Sequence, residues 1–540
     1  MDYDKLVSQF SWEGIKGEFD WNWDEKFNMA HECCDKWALD EERIAVYWEN
    51  EEGETASYTY LELSQYSNQL AHVFKELGLG KGDRISGLLG KEIELVLTVL
   101  AAWKIGAIYV PMFTAFGPKA IDYRLRDSGC SMVITNKEQA QKIRNKDIQL
   151  LLIDSNSAEG NTLPFWKSLL SSSSSFQKEQ IKIDDPAVIQ YTSGSTGMPK
   201  GAVWSHKILV SSYPYVRFAM GLKKKDIFFG GPDMGWAYGL MNCTFFPLSL
   251  GTSIVMYKGK FDVQKVYRLL EKYHVTNVAY APTAYRMMMS AGAPIIEQYE
   301  LKVNHFSSAG EPLNAEVIRF FDKHMKRKVH DHYGSTETGM IINNLANTHM
   351  IVPGSMGKPS PGFQIQLLDS SGREAEREEV GEIAVDANSF PFFFLGYWNQ
   401  PEKTEEKMTG NWFRTGDLAV IDKDGYFWFQ GRSDDIISSA GYRIGPFEVE
   451  SSLIEHEAVS EAAVIGIPDA NKGEIVKAYV VLNSSFTASN TLAADLIEYV
   501  KTRLSKHQYP REIEFVEELP KTPSGKIQRY KLKQDAVRYS

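Results

Sequence analysis

Short apolar strands alternate with amphipathic helices along most of this chain, and that alternation limits its fold more tightly than any other feature. From Leu63 the apolar residues Tyr66, Leu70, Val73 and Leu77 recur at spacings of three and four, which predicts a helix, and Gly78, Gly80 and Gly82 close it. A buried strand is predicted at 85–89, a helix through Trp103, a strand at 107–110, a helix at about 118–127 and a strand at 132–135. The same texture resumes beyond Val203, with strands at 227–229, 253–257 and 277–280 and helices from about Val263 and over 283–289. Strands fed by helices pair in parallel and are covered on both faces, so the expected class is α/β. The most apolar window, 93–113, is broken by Glu94, Lys104 and Gly106 and reads as a helix followed by a strand, not as a membrane span.

The pattern changes twice towards the C-terminus. Residues 362–385 read as antiparallel strands about a turn at Asp369 to Gly372, a small β-subdomain. After Gly431 a charged stretch leads into a compact α+β region with a helix near Val449, strands at 462–467, 476–482 and 512–516, and a helix at 492–504. With 540 residues, more than one core is expected. The boundary falls at Asp434, dividing the chain into a domain of parallel sheets flanked by helices, 1–433, and a smaller domain, 434–540.

Composition narrows the function classes. A net charge of −11 argues against a nucleic-acid scaffold, which needs a basic excess to neutralise phosphates. The first ten residues, MDYDKLVSQF, lack a basic segment followed by an apolar run, so no secretory signal is expected. Cys33, Cys34, Cys130 and Cys243 form no CxxC pair, and a cytoplasmic location is the simplest expectation. The serine run 171–175 reads as a surface loop.

The chemistry centres on Tyr191 to Val203, YTSGSTGMPKGAV. Gly194 and Gly197 let backbone N–H groups turn inward, Thr192, Ser193, Ser195 and Thr196 add hydroxyl donors, and Lys200 adds a cation, all suited to surrounding phosphate. The spacing is not that of a Walker A loop, because Lys200 is followed by Gly201 and not by Ser or Thr. Four further stretches stand with it: SAGEPLN at Ser308 to Asn314, DHYGSTETG at Asp331 to Gly339, RTGDL at Arg414 to Leu418, and PKTPSGKIQR at Pro520 to Arg529. Taken singly, Asp417 reads equally well as a turn aspartate, Glu311 as a helix cap and Lys526 as a solvated loop lysine.

In this order and at these separations the five stretches resemble the adenylate-forming enzymes, over about Tyr58 to Leu532. The resemblance implies a large N-terminal domain followed by a mobile C-terminal one that turns about Asp434. It implies that Thr192, Ser193, Gly194, Ser195, Thr196, Gly197 and Lys200 bind the β- and γ-phosphates of ATP. Gly310, Glu311 and Pro312 would form the adenine turn, with Asp331, His332, Tyr333, Gly334 and Ser335 also lining the nucleotide. As side chains, His206, His330 and His332 have no chemistry tied to them beyond packing. Thr336 would face the α-phosphate, Glu337 would hold Mg²⁺, Asp417 the ribose hydroxyls and Arg432 the ribose or phosphate. Lys526 would bridge the acid and the α-phosphate, and acetylation there would switch it off. Ala440, Gly441 and Arg443 would serve the second step, attack by CoA.

Within that family, AspMetGlyTrp at Asp233 to Trp236, PheGlyProLysAlaIle at Phe116 to Ile121 and GlySerMetGlyLysPro at Gly354 to Pro359 look most like acetyl- and medium-chain acyl-CoA synthetases. The substrates implied are ATP, CoA and a carboxylic acid, with no carrier-protein domain, in a monomer or homodimer. The acyl pocket is expected at Trp236, Ala237, Tyr238, Ala309 and Gly334. Resembling acetyl-CoA synthetases carry tryptophan where Gly334 stands, so a deeper pocket and a short- to medium-chain or branched fatty acid are expected. Three alternatives remain at this stage: an acetyl-CoA synthetase, a luciferase-like oxidative enzyme and a catalytically silent nucleotide-binding regulator.

Overall fold

The computed structural model describes residues 2–20, 27–192, 198–348, 350–391, 393–433, 435–439, 442–469, 472–504, 508–522 and 527–539. Two large sheets form the body of the molecule. In one, nine strands run in the order Lys358–Pro359, Gly339–Asn343, Val329–Ser335, His305–Ala309, Asn277–Tyr280, Ile227–Gly230, Ser253–Lys258, Ile44–Asn50 and Thr55–Thr59. Its middle is parallel and its edge pairs are antiparallel. The other has seven strands, Thr162–Pro164, Gln149–Leu152, Met132–Thr135, Arg84–Leu88, Ile108–Pro111, Pro186–Thr192 and Lys200–Ser205, parallel except for the last pair.

The predicted helices appear with ends the sequence explains. Thr59 accepts from Glu62 N while Glu62 reaches back to Thr59 N, a capping box that starts Tyr60–Glu76. The apolar window 93–113 holds the helix Ile93–Lys104, every residue of which is buried, followed by the strand Ile108–Pro111, as the sequence predicts. The two charges of the helix sit at its ends and are met there: Glu94 accepts from Trp166 Nε1 at 2.8 Å, and Lys104 Nζ lies 2.9 Å from Asp35 Oδ1 and 2.8 Å from Ser67 Oγ. Among the described residues no helix is long and apolar enough to cross a membrane. The serine run is an exposed loop whose Ser172 and Ser174 carbonyls accept from Gln69 and Asn68.

A five-stranded antiparallel sheet, Ile365–Leu368, Gly381–Asp386, Trp412–Ile421, Met408–Thr409 and Phe427–Arg432, is the β-subdomain expected around 362–385, extended further along the chain than the sequence reading carried it. Beyond it, strands Ile437–Ser439, Tyr442–Ile444, Val459–Asp469, Gly473–Leu482 and Glu512–Phe515 make a fourth sheet, packed with the helices Pro446–Ile454 and Asn490–Arg503 around a core of its own. The parallel pairing expected of the two large sheets holds through their interiors, and antiparallel pairs close their edges.

Candidate active site

The strand Pro186–Thr192 pairs antiparallel with Lys200–Ser205, Thr192 opposite Lys200, so the segment expected to bind phosphate begins and ends on paired strands of the sheet. Thr192 Oγ1 donates to the Lys200 carbonyl at 3.3 Å across its base, and Tyr123 OH donates to the Pro199 carbonyl at 3.0 Å. Ser193, Gly194, Ser195, Thr196 and Gly197 lie outside the described residues. The Lys200 ammonium stands 4.6 Å from the centre of the Tyr397 ring. Burial, and then the neighbouring Lys407, lower its pKa, while Glu337 counters them.

Tyr397 also ties this cation to the next element. Its hydroxyl donates to Glu337 Oε1 at 2.6 Å, and Trp204 Nε1 donates to the Thr336 carbonyl at 2.7 Å. Ser335 Oγ accepts from Glu337 N and Thr338 N, so its hydroxyl is spent on shaping the turn that presents Thr336 and Glu337. Neither Tyr397 nor Trp204 stands in a motif, and nothing in the sequence near them signals these contacts.

The turn Gly310 to Pro312, expected to meet adenine, follows the strand His305–Ala309. Gly310 has φ of +102°, and a Cβ there would lie 2.6 Å from Trp236 Cη2, so glycine is required both by the turn and by the indole laid over it. Glu311 Oε2 accepts from Arg286 Nη2 at 2.9 Å and from Thr283 Oγ1 at 3.1 Å. Pro312 follows, partly buried. On the neighbouring strand, burial pushes the Asp331 carboxyl well above the usual carboxylate range, and its Oδ1 has no partner among the described residues. Burial likewise keeps His332 neutral, its ring edge-on to Tyr215 at 5.2 Å. It is a packing residue in the core, and His206 is another, pulled down to about 3 by burial.

Asp417 is held from two sides. Tyr333 OH donates to its Oδ2 at 2.7 Å, and Arg432, opposite it on the paired strand, donates from Nη1 to its Oδ1 at 3.1 Å. The structure thus gathers Thr192, Lys200, Gly310, Glu311, Tyr333, Thr336, Glu337, Asp417 and Arg432 around one end of the two sheets. Lys526, Asp434, Ala440 and Gly441 lie outside the described residues, and Arg443 falls on the strand Tyr442–Ile444.

Beside this cluster is a cavity of about 80 Å³ reaching from Gly310, Gly334 and Thr336 inward to Tyr215, Tyr238 and Phe246. Trp236, Ala237, Tyr238 and Gly334 line it as expected. Ala309 does not line it: its side chain is wholly buried in the main core, and Gly310 takes the place expected of it. The reason given for Gly334 also needs correction. A Cβ at this position would lie 1.9 Å from the Gly339 carbonyl oxygen across the bulged pairing of Val329–Ser335 with Gly339–Asn343. Backbone crowding imposes glycine there, and no room for an indole has been vacated. Trp204, Ser211, Tyr215, Met241, Asn242 and Met340 are among the further lining residues that the sequence did not reveal.

The AMP-binding enzyme family fits residues 32–398, and the C-terminal domain of the same enzymes fits 448–526. The chain belongs to the AMP-binding enzyme family. It is 37% identical to an acetyl-coenzyme A synthetase of Bacillus subtilis over 98% of this chain and 94% of that protein. It is 36% identical to the mitochondrial acyl-coenzyme A synthetase ACSM3 of Rattus norvegicus over 98% and 95%. Among solved structures, an acyl-CoA synthetase of Brucella canis aligns with a TM-score of 0.79 at 39% identity, covering 100% of this chain and 99% of that one. The anthranilate CoA ligase AuaEII in complex with anthranoyl-AMP aligns with a TM-score of 0.88 at 28% identity, covering 96% and 99%. The protein is an AMP-forming acyl-CoA ligase, with ATP, CoA and a carboxylic acid as its substrates.

Proposed function

We infer that this ligase activates a small monocarboxylic acid whose tail carries no charge. The observation behind this is the make-up of the cavity: among its lining residues none is Asp, Glu, Lys, Arg or His. A second carboxylate or an α-ammonium group buried there would lose its hydration without a counter-charge, which costs several kcal/mol. Dicarboxylic acids and amino acids are therefore poor substrates. A water needs roughly 10–15 Å³ of such room, so the cavity takes several non-hydrogen atoms beyond the carboxylate.

The residues divide the work by charge. Joining a carboxylate to the α-phosphate brings two anions together, and the cations and donors must already be in place where charge develops. Lys200 and the loop before it would take the β- and γ-phosphates, Asp417 would take the ribose hydroxyls, and Lys526 would bridge the acid and the α-phosphate. Mg²⁺ would travel with ATP. Glu337 suits it, because Tyr397 occupies only Oε1 and the other oxygen has no partner among the described residues, and Mg²⁺ commonly takes one carboxylate plus phosphates and water. The second step needs the domain 434–540 to turn about Asp434 and present Gly441 to Arg443.

The test is CoA-dependent AMP formation with acids from C2 to C10, with benzoate and anthranilate, and with dicarboxylic and amino acids. Turnover of neutral-tailed acids alone is expected, and a dicarboxylate or amino acid as best substrate would overturn the reading. A preference for acetate is the second outcome to watch for, given the acetyl-coenzyme A synthetase of Bacillus subtilis among the relatives.

A further inference from the structure

The inner wall of the acyl cavity is not uniformly apolar. Trp204, Ile208, Met241, Phe246 and Met340 give it hydrophobic sides, but Ser211 and Asn242 also face it, only 5% and 8% exposed. The Ser211 hydroxyl has no hydrogen-bond partner among the described residues. Helical serines usually settle that need on the carbonyl four residues back, and Ser212 next door does so, donating to the Ile208 carbonyl at 2.6 Å. The two tyrosines of the wall are satisfied as well, Tyr215 OH lying 3.0 Å from Tyr238 OH. The Asn242 amide makes no hydrogen bond within the described residues either. A buried polar group left unpaired is costly, and the Ser211 hydroxyl, with Asn242 also in the wall, marks where something else supplies the partner.

We propose that the acid this enzyme activates carries one neutral hydrogen-bonding substituent on its chain, a hydroxyl or a keto oxygen, received by Ser211 and Asn242. The assignment rests on the reading of the cavity as the acyl pocket. Serine offers a donor and an acceptor, asparagine offers both, and a hydroxyl offers both in return. The absence of any charged side chain in the wall rules out a carboxylate or an amine in the same role. A plain methylene at this depth would strip water from both groups and return no hydrogen bond, which turns ordinary hydrophobic gain into discrimination against the plain chain.

The experiment compares kcat/KM for butyrate with that for 2-, 3- and 4-hydroxybutyrate and 3-oxobutyrate, following both pyrophosphate release and CoA-dependent AMP formation. At least one substituted acid should exceed butyrate by about tenfold or more, the size expected of one or two satisfied buried hydrogen bonds. In Ser211→Ala and Asn242→Leu the order should cross, with the substituted acid falling and butyrate rising, which general loss of packing would not produce. Ser211→Ala removes one oxygen from a buried helix and is the variant more certain to fold, and the wild-type ratio stands without either. Butyrate equal to or better than every substituted acid, or variants that leave the ratio unchanged, would overturn the assignment while the ligase reading survives. No pyrophosphate release with any acid would sink both.

Discussion

At the scale of single residues, the site is governed by contacts that a sequence position alone does not reveal. Gly334 is the clearest case, since its motif invites comparison with a bulkier residue in related enzymes while its surroundings forbid even a methyl group. No rotamer relieves an overlap between Cβ and a backbone oxygen, so the hairpin itself would have to shift. Gly334→Ala should therefore destabilise the protein by about 1–3 kcal/mol and lower turnover alike for every acid. A normal melting temperature combined with an altered chain-length profile would restore Gly334 as the pocket floor. Asp417, Glu311 and Lys200 stand out in the sequence because the nucleotide chemistry implied for them calls for those residue types beside glycine turns. Tyr397, Trp204 and Asn242 were not. Each reaches its partner or its cavity from a distant part of the chain, Tyr397 from 60 positions beyond Glu337 and Trp204 from 132 before Thr336, through side chains common in any core.

At the scale of elements, periodicity exposed the amphipathic helices but was silent on the segment Tyr238–Phe245 that lines the cavity. Every residue of Tyr238–Phe245 is buried, so no polar face marks it as helical, and its hydrogen bonding is wider than that of an α-helix. What positions this segment is a lysine in another sheet. Lys91, in the turn after Arg84–Leu88, donates from Nζ to the Gly230 and Gly231 carbonyls, both at 2.7 Å, and its own carbonyl accepts from Trp48 Nε1 at 2.8 Å. It thus joins the two large sheets where the chain leaves Ile227–Gly230 for Trp236. Lys91→Met would strand two carbonyls and loosen that loop. Its expected effects are a loss of about 2–4 kcal/mol in stability and a KM that rises more for the acid than for ATP. Equal increases in the two KM values would limit Lys91 to a general structural role. Burial lowers the pKa of Lys91 to about 8, whereas an unfolded lysine titrates near 10.4. Between those values the unfolded chain binds the extra proton, so this group makes stability rise with pH across that window. Denaturant titrations from pH 8 to 10 should show that rise in wild type and a smaller one in Lys91→Met.

At the scale of the whole molecule, the sequence announced two domains because its texture changed near Gly431, but it held no information on how they meet. In the structure the helix Pro446–Ile454 lies against the large domain: Phe447 packs edge-on to Phe429 at 5.9 Å, and Asn314 Nδ2 donates to Ser451 Oγ at 3.4 Å just beyond the turn Gly310 to Pro312. Arg529 binds Glu450 at 2.7 Å and feels the charge of Glu311 across the junction. These contacts combine an aromatic pair with polar groups, and domains of one chain commonly leave and rejoin such junctions. If Lys526 acts only in the first step, Lys526→Ala should lower pyrophosphate release on the order of a hundredfold or more while CoA still attacks supplied acyl-AMP. Equal loss of both steps would give the lysine a different role. The junction allows a sharper test of movement, because all four native cysteines are buried and an introduced pair can be linked selectively. Asn314→Cys with Ser451→Cys, joined by a short bis-maleimide, would hold the domains as they now stand. Overall turnover should then collapse while one half-reaction, either adenylation or CoA attack on supplied acyl-AMP, keeps the rate of the unlinked double variant. A linked enzyme that performs both at full rate has no need to rotate. In that event the active site would have to accommodate Lys526 and the Gly441 to Arg443 segment in a single arrangement.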